Sequence, residues 1–398
     1  MGPDWYLLPP ELHKAIGEKV TSLADYIRFR AVCRPWRSAC SPRPNHLPLQ
    51  LPWLMLPYQS DGNDDSIRLF YDLSASKIHK LDLPETRGAS ICGSSHGWLV
   101  LQKDQVVSLL NPITRATIPL PPFTGPPFNI GIAPLHASND DELFFAIWEA
   151  DKYTINLSDN FMVWKAILTS SPLDPSCMVF VFTGSKWQLA FCKIGDECWT
   201  VIEFECNFPS EWDICDFTYS NGFLYTVDPS ATVTMYNLNN SSKTLLGRGI
   251  GLNDMYLVDG VSGDILLIYH DGPTYDVDGV LQKKTEYKVY KFSNDGEPKW
   301  IEVIDVGQHV LFLGGDYHAL SLSSTKFQLP EWGANCLCYD SVRIEQWNRQ
   351  DSWASWYNHN IKLARLDDGT ATDIAGDLGS FQVNRHWQKS LWLTPSLL

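Results

Sequence analysis

The chain has 398 residues, of which 44% are hydrophobic and 13% aromatic, and it carries a formal net charge of −15. That length exceeds one small core and predicts two units, or one large repeat unit with an appendage; that charge argues against a nucleic-acid surface, which needs a clustered positive field. Ten cysteines contain no Cys-x-x-Cys pair. No apolar run approaches the ~18 residues of a membrane span. The opening Met1-Gly2-Pro3-Asp4-Trp5 has neither a basic nor an apolar leader pattern, so the expectation is a chain of the nucleus or cytoplasm with reduced, mostly buried thiols.

Charge is uneven along the chain. Residues 5–44 hold seven Lys/Arg against three Asp/Glu, a small basic head on an acidic body. In that head Pro9 and Pro10 suit a first helical turn, and Leu12, Ile16 and Val20 recur at four-residue steps, predicting a helix over 9–19. Ser22 and Asp25 form a capping-box variant that starts a second helix. Phe29, Val32, Cys33 and Trp36 then fall at i, i+3, i+4 and i+7, one face of that helix, with Pro35 ending or kinking it and opening a third short helix that carries Trp36 and Ala39. Three helices in so few residues bury little apolar area alone, so a partner is expected to cover part of them.

The order Leu8-Pro9, Glu11-Leu12, Ile16, Asp25-Tyr26, Arg28-Phe29, Val32-Cys33-Arg34 and Trp36-Arg37 resembles the F-box, in the form common in plants. The F-box is the helical module that ties a protein to a Skp-type adaptor of a cullin ubiquitin ligase. The resemblance implies that Leu8, Pro9, Leu12, Ile16 and Val32 meet the adaptor, while Phe29, Cys33 and Trp36 hold the module together. The alternative is a helical cap on the following domain. Residues 41–52 contain four prolines and predict an extended, semi-rigid linker.

From residue 53 to 398 the pattern changes to short apolar runs bounded by Gly, Pro, Asn and Asp, among them Trp98–Leu101, Val106–Leu110, Val179–Thr183, Trp187–Cys192, Trp199–Phe204, Phe223–Val227, Val233–Tyr236, Ile265–Tyr269, Tyr287–Phe292 and Trp300–Ile304. Roughly twenty-four such runs predict a mainly β chain, a three-helix head followed by a β-propeller of about six four-stranded blades. Two weak internal repeats agree. His96-Gly97-Trp98-Leu99 is echoed by Asn221-Gly222-Phe223-Leu224, and Gly195–Ile202 by Asp295–Glu302. The landmarks Gly93-Ser94-Ser95-His96-Gly97-Trp98-Leu99-Val100, Ser108-Leu109-Leu110-Asn111-Pro112, Leu189-Ala190-Phe191-Cys192, Leu311-Phe312-Leu313-Gly314, Asn335-Cys336-Leu337-Cys338-Tyr339 and Trp392-Leu393-Thr394-Pro395-Ser396-Leu397 look like the KIB-type propeller found behind plant F-boxes.

Together these resemblances imply a substrate-recognition subunit of a Skp–cullin–F-box ubiquitin ligase. Its partners would be the adaptor, the cullin through it, and a protein target, with no catalytic residue, metal or cofactor of its own. The alternatives are a propeller hydrolase or glycan-binding protein with a helical cap, and an F-box scaffold that recruits no cullin. The target-binding candidates are Trp347, Arg349, Trp353, Trp356 and Tyr357, aromatic and basic anchors in a stretch without a clean strand period. The proline-rich stretch 121–134 is a weaker candidate.

Several motifs suggest other chemistry. Gly93-Ser94-Ser95-His96-Gly97 matches a nucleophile elbow, but a strand follows where a helix is needed, so a hairpin turn is the reading. Asp271, Asp276 and Asp278 hint at calcium, yet no Glu closes the loop and a solvated hairpin tip is expected. Cys336 and Cys338 share one face of a strand, where core thiols are expected rather than a zinc site with His309 or His318.

Overall fold

The computed structural model describes residues 5–397 except 22, 43, 45, 48–49, 58–65, 124–161, 184–187, 203–213, 239–241, 248–254, 261–262, 272–273, 276–280, 284–285, 294–298, 316–317, 326, 328–332, 348–354, 377, 379 and 384–389.

The head consists of a 3-10 turn, Trp5–Leu7, and helices α1 (Pro10–Gly17), α2 (Leu23–Ala31) and α3 (Arg34–Ala39). Pro10 opens α1, where no intrahelical acceptor awaits its missing N–H. The expected single face of Phe29, Val32, Cys33 and Trp36 is not formed. Helix α2 stops at Ala31, Cys33 turns extended (φ −164°, ψ 171°), and Trp36 belongs to α3. Pro35 explains the break: within a continuous helix its ring would clash with the Ala31 carbonyl and leave that acceptor unserved. The helix restarts instead, with Arg37 N–H donating to the Cys33 carbonyl at 3.0 Å. The stripe on α1 is also displaced. His13 and Gly17 face the core, whereas Leu12 points outward.

The rest is a six-bladed β-propeller. Blade 1 has the order Leu391–Leu393, Trp53–Leu56, Ile67–Asp72, Lys77–Asp82, so strands from opposite ends of the chain close the ring. Blades 2 to 5 begin, at the axis, with Ser90–Ser95, Val163–Leu168, Asp216–Ser220 and Met255–Asp259, and each continues outward in simple antiparallel order. Blade 6 departs from this plan. Its order is Ala319–Ser323, His309–Leu313, Cys336–Trp347, Ser355–Arg365, Ala371–Ala375, with His309–Leu313 and Cys336–Trp347 running parallel. The two long strands extend past the other blades' length, and Ser380–Val383 pairs with the second of them.

The repeats seen in the sequence occupy equivalent places. His96-Gly97 and Asn221-Gly222 both turn the first strand into the second, with all four residues at positive φ (52°, 84°, 50° and 88°), the geometry of a type I′ hairpin. Gly195–Ile202 and Asp295–Glu302 both lead from third to fourth strand. Cores lie between adjacent blades, as in the cluster of Cys92, Trp98, Val100, Ala166, Val179 and Val181 between blades 2 and 3.

Candidate functional site

The head is held by a small core of Leu23, Tyr26, Phe29, Cys40 and Leu47, against which Ile16, Val20, Ile27 and Trp36 pack partly buried. The Phe29 and Trp36 rings lie 4.4 Å apart, centroid to centroid. Gly17 permits the closest approach. A Cβ there would lie 2.6 Å from Cys40 Sγ and 3.3 Å from the Phe29 ring. His13, which the apolar pattern passes over, is buried beside Trp36 (5.3 Å) and its Nε2 lies 3.0 Å from the Trp5 carbonyl. A carbonyl only accepts, so that nitrogen carries the proton. The signal in the sequence was its phase, four residues before Gly17 on the same face.

With the core so filled, several apolar side chains stay outside it. Trp5 is 56% exposed, Leu7 73%, Leu12 49% and Val32 60%. Pro9 is exposed, and Leu8, Ile16, Cys33 and Trp36 are half-buried. Of the residues assigned to an adaptor, Leu12, Val32 and Pro9 therefore present open surface, while Ile16 leans on the core. Of those assigned to holding the module, Phe29 is central and Cys33 is the residue at which α2 gives way to α3.

Around the propeller axis the polar groups form a belt across every seam. Ser94 Oγ donates to the Trp392 carbonyl (blades 2 and 1), and Ser95 Oγ to the Leu168 carbonyl at 3.2 Å (blades 2 and 3). Lys165 Nζ meets Asp216 Oδ1 at 2.5 Å (blades 3 and 4). The other oxygen of Asp216 accepts from Leu257 N–H at 2.7 Å, and Ser220 Oγ donates to Asp259 Oδ1 at 2.7 Å (blades 4 and 5). Tyr256 Oη donates to the Gly314 carbonyl at 3.3 Å (blades 5 and 6), and Trp392 Nε1 to the Leu313 carbonyl at 2.9 Å (blades 1 and 6). His318 lies against Gly93 and the Cys92 backbone; burial and the nearby Lys165 ammonium push its imidazole down to about 3.

The tempting motifs resolve accordingly. Ser94 and Ser95 lie at the end of a strand and spend their hydroxyls on neighbouring blades, while His96 and Gly97 form the hairpin turn. Cys336 and Cys338 share one buried face in the core between blades 6 and 1, and burial pushes the Cys336 thiol up to about 12. No group of three metal-ligating side chains converges among the described residues. Asp276 and Asp278 lie outside them.

The target-binding candidates are only partly placed. Trp347 ends one long strand of blade 6, and Trp356 and Tyr357 begin its partner, in the register Gln346↔Trp356 and Ile344↔Tyr357. The stretch without a clean strand period is thus β-structure up to 347 and again from 355. A register shift between Ile344 and Gln346 interrupts the alternation and hides the strand period. Arg349 and Trp353 lie outside the described residues, as does most of 121–134.

The KIB1-4 beta-propeller family model matches residues 70–362, more than half of the chain. Among similar Arabidopsis thaliana proteins, F-box protein SKIP23 is 25% identical over 360 residues, covering 79% of this chain and 78% of that protein. F-box protein At3g56470 is 28% identical over 266 residues, covering 63% and 61%. F-box protein At2g17036 is 22% identical over 427 residues, covering 99% and 95%, so its likeness takes in the helical head as well. Helices, blades and relatives agree: the chain belongs to the plant F-box proteins that carry a KIB1-4 beta-propeller.

Proposed function

We propose that this protein is the substrate-recognition subunit of a Skp–cullin–F-box ubiquitin ligase. Residues 5–40 form the adaptor-binding module, 41–52 the connection, and 53–398 the target-binding domain. The observation that carries the reading is the apolar surface left open on a head whose own core is complete: Leu7, Leu12 and Val32, with Trp5 beside them in sequence. Each such side chain contributes about 1.5–3 kcal/mol when a partner fully buries it. The relatives' F-box names support the same partner class.

The chemistry would be proximity. The head docks on the adaptor, the adaptor recruits the cullin, the propeller presents a protein target, and a separate enzyme transfers ubiquitin. This chain contributes no catalytic group. The hydrolase alternative requires free polar side chains converging near the axis, and Ser94, Ser95, Lys165, Asp216 and Ser220 are engaged across blade seams instead. The site of action is the nucleus or cytoplasm.

Co-purification of the full chain with a Skp-type adaptor and a cullin tests the reading. Wild type should recover both. Leu12→Asp with Val32→Asp should recover neither while melting at the same temperature. Adaptor without cullin in the wild-type sample identifies a scaffold, and equal adaptor recovery from both proteins refutes the docking surface.

A further inference from the structure

A head joined to a propeller by one linker can swivel about it. Here the head is tied twice. On the linker side, Leu47 enters the core of the head and Leu51 enters the core between blades 6 and 1. Tyr26 Oη adds a hydrogen bond to the Ser41 carbonyl at 2.8 Å. The second tie comes from the far end of the sequence. Immediately after the strand Leu391–Leu393 that closes the ring, residues 394–397 run over the first turn of blade 2. A Cβ on Gly97 would collide with Ser396 and lie 3.0 Å from the Thr394 carbonyl and 3.2 Å from Ser396 N, so glycine is what admits the segment. Asn111 Nδ2 donates to the Ser396 carbonyl at 3.0 Å. The next side chain, Leu397, packs partly buried against the head's core, the cluster that Leu23, Tyr26, Phe29 and Cys40 form with Leu47 of the linker.

We propose that Thr394–Leu397 is a clasp that locks the helical head to the propeller at a fixed angle. A second tie into the same small core, coming from a distant stretch of the chain, restrains the swivel that a single linker permits. Because the clasp continues the ring-closing strand, head orientation and ring closure depend on each other. On the receptor reading above, the clasp would hold the target at a set position relative to the ligase. The packing of Leu397 on the head requires no adaptor.

The test therefore uses the full chain alone. Two variants loosen the clasp from opposite ends: Leu397→Asp at the head, and Asn111→Asp at blade 2. The latter keeps the oxygen that accepts from Ile113 and Thr114 N–H and removes the donor to Ser396. Small-angle scattering should show a larger radius of gyration for both, and protease should cut within 41–52 about tenfold faster. The propeller melting temperature should stay put for Leu397→Asp and fall for Asn111→Asp, which buries a carboxylate in blade 2 without unfolding it, and Leu397→Met should behave as wild type. Unchanged scattering and cleavage in both loosened variants overturns the clasp. If Leu397→Asp loses helical circular dichroism, Leu397 is needed to fold the head, and Asn111→Asp decides: unchanged scattering there overturns the proposal. Failure of adaptor binding would leave all these readouts intact, so the two claims fail separately.

Discussion

Lys165 and Asp216 show how single residues hold the ring. Both are buried, and Asp216 also accepts from Phe217 and Leu257 N–H at 2.7 Å each, so one carboxylate ties three blades. Lys165→Met leaves that carboxylate buried without its counter-ion and should cost about 3–5 kcal/mol, whereas adding Asp216→Asn should recover part of the loss; denaturant titrations of the two variants measure the difference. Titration sets limits at both ends of the pH scale. Burial pushes the thiols of Cys92, Cys192 and Cys336 up from 9.0 to about 12, so their contribution to stability is complete below pH 9.0 and is lost as pH rises toward 12. His318 is pushed the other way, from 6.5 to about 3, so its contribution is complete above pH 6.5 and is lost as pH falls toward 3. Melting temperature against pH should show a plateau falling at both ends. Cys92→Ala should flatten the alkaline limb and His318→Gln the acid one.

At the scale of elements, two matching turns make a controlled comparison. Gly97 and Gly222 occupy the same hairpin position at φ 84° and 88°, but a Cβ on Gly222 meets nothing within 4 Å, while one on Gly97 strikes the 394–397 segment. Gly222→Ala should cost about 1–2 kcal/mol for the left-handed backbone alone. Gly97→Ala should cost about 1–3 kcal/mol more for the collision; thermal melts of the pair resolve this. These turns were readable in advance, because His-Gly and Asn-Gly between apolar runs state their own local geometry. Strands such as Val106–Leu110 and Phe223–Val227 were equally legible. The break at Pro35 and the third helix carrying Trp36 were legible, but the apolar period drew one face through Val32, Cys33 and Trp36, whereas α2 already ends at Ala31 so that Pro35 can sit in the first turn of α3. In blade 6, a register shift removed the alternation on which the reading depends. Leu12 and Val32 were legible as residues of an F-box resemblance, but the exposure of Leu12 depends on His13 and Gly17 taking the inward face of α1, and Val32 is left outside by the end of α2 at Ala31.

The whole molecule contains what no local pattern states. Pairing of Trp53–Leu56 with Leu391–Leu393 joins segments more than three hundred positions apart. The axial belt joins six blades through hydroxyls, amides and carbonyls whose sequence neighbours give no hint of their partners. The same holds for Leu397, a residue near the far end of the chain that packs into a module near its start. Sequence could therefore separate a basic head from an acidic propeller while missing how they are fastened together. The fastening matters only if the head has a partner. That claim is tested most directly by titrating a purified Skp-type adaptor into the full-length protein by calorimetry. Wild type should bind one adaptor per chain, and Leu12→Asp with Val32→Asp should weaken binding by about 100-fold or more at unchanged melting temperature. Equal affinity for the two proteins, or no heat of binding from wild type, would contradict the account.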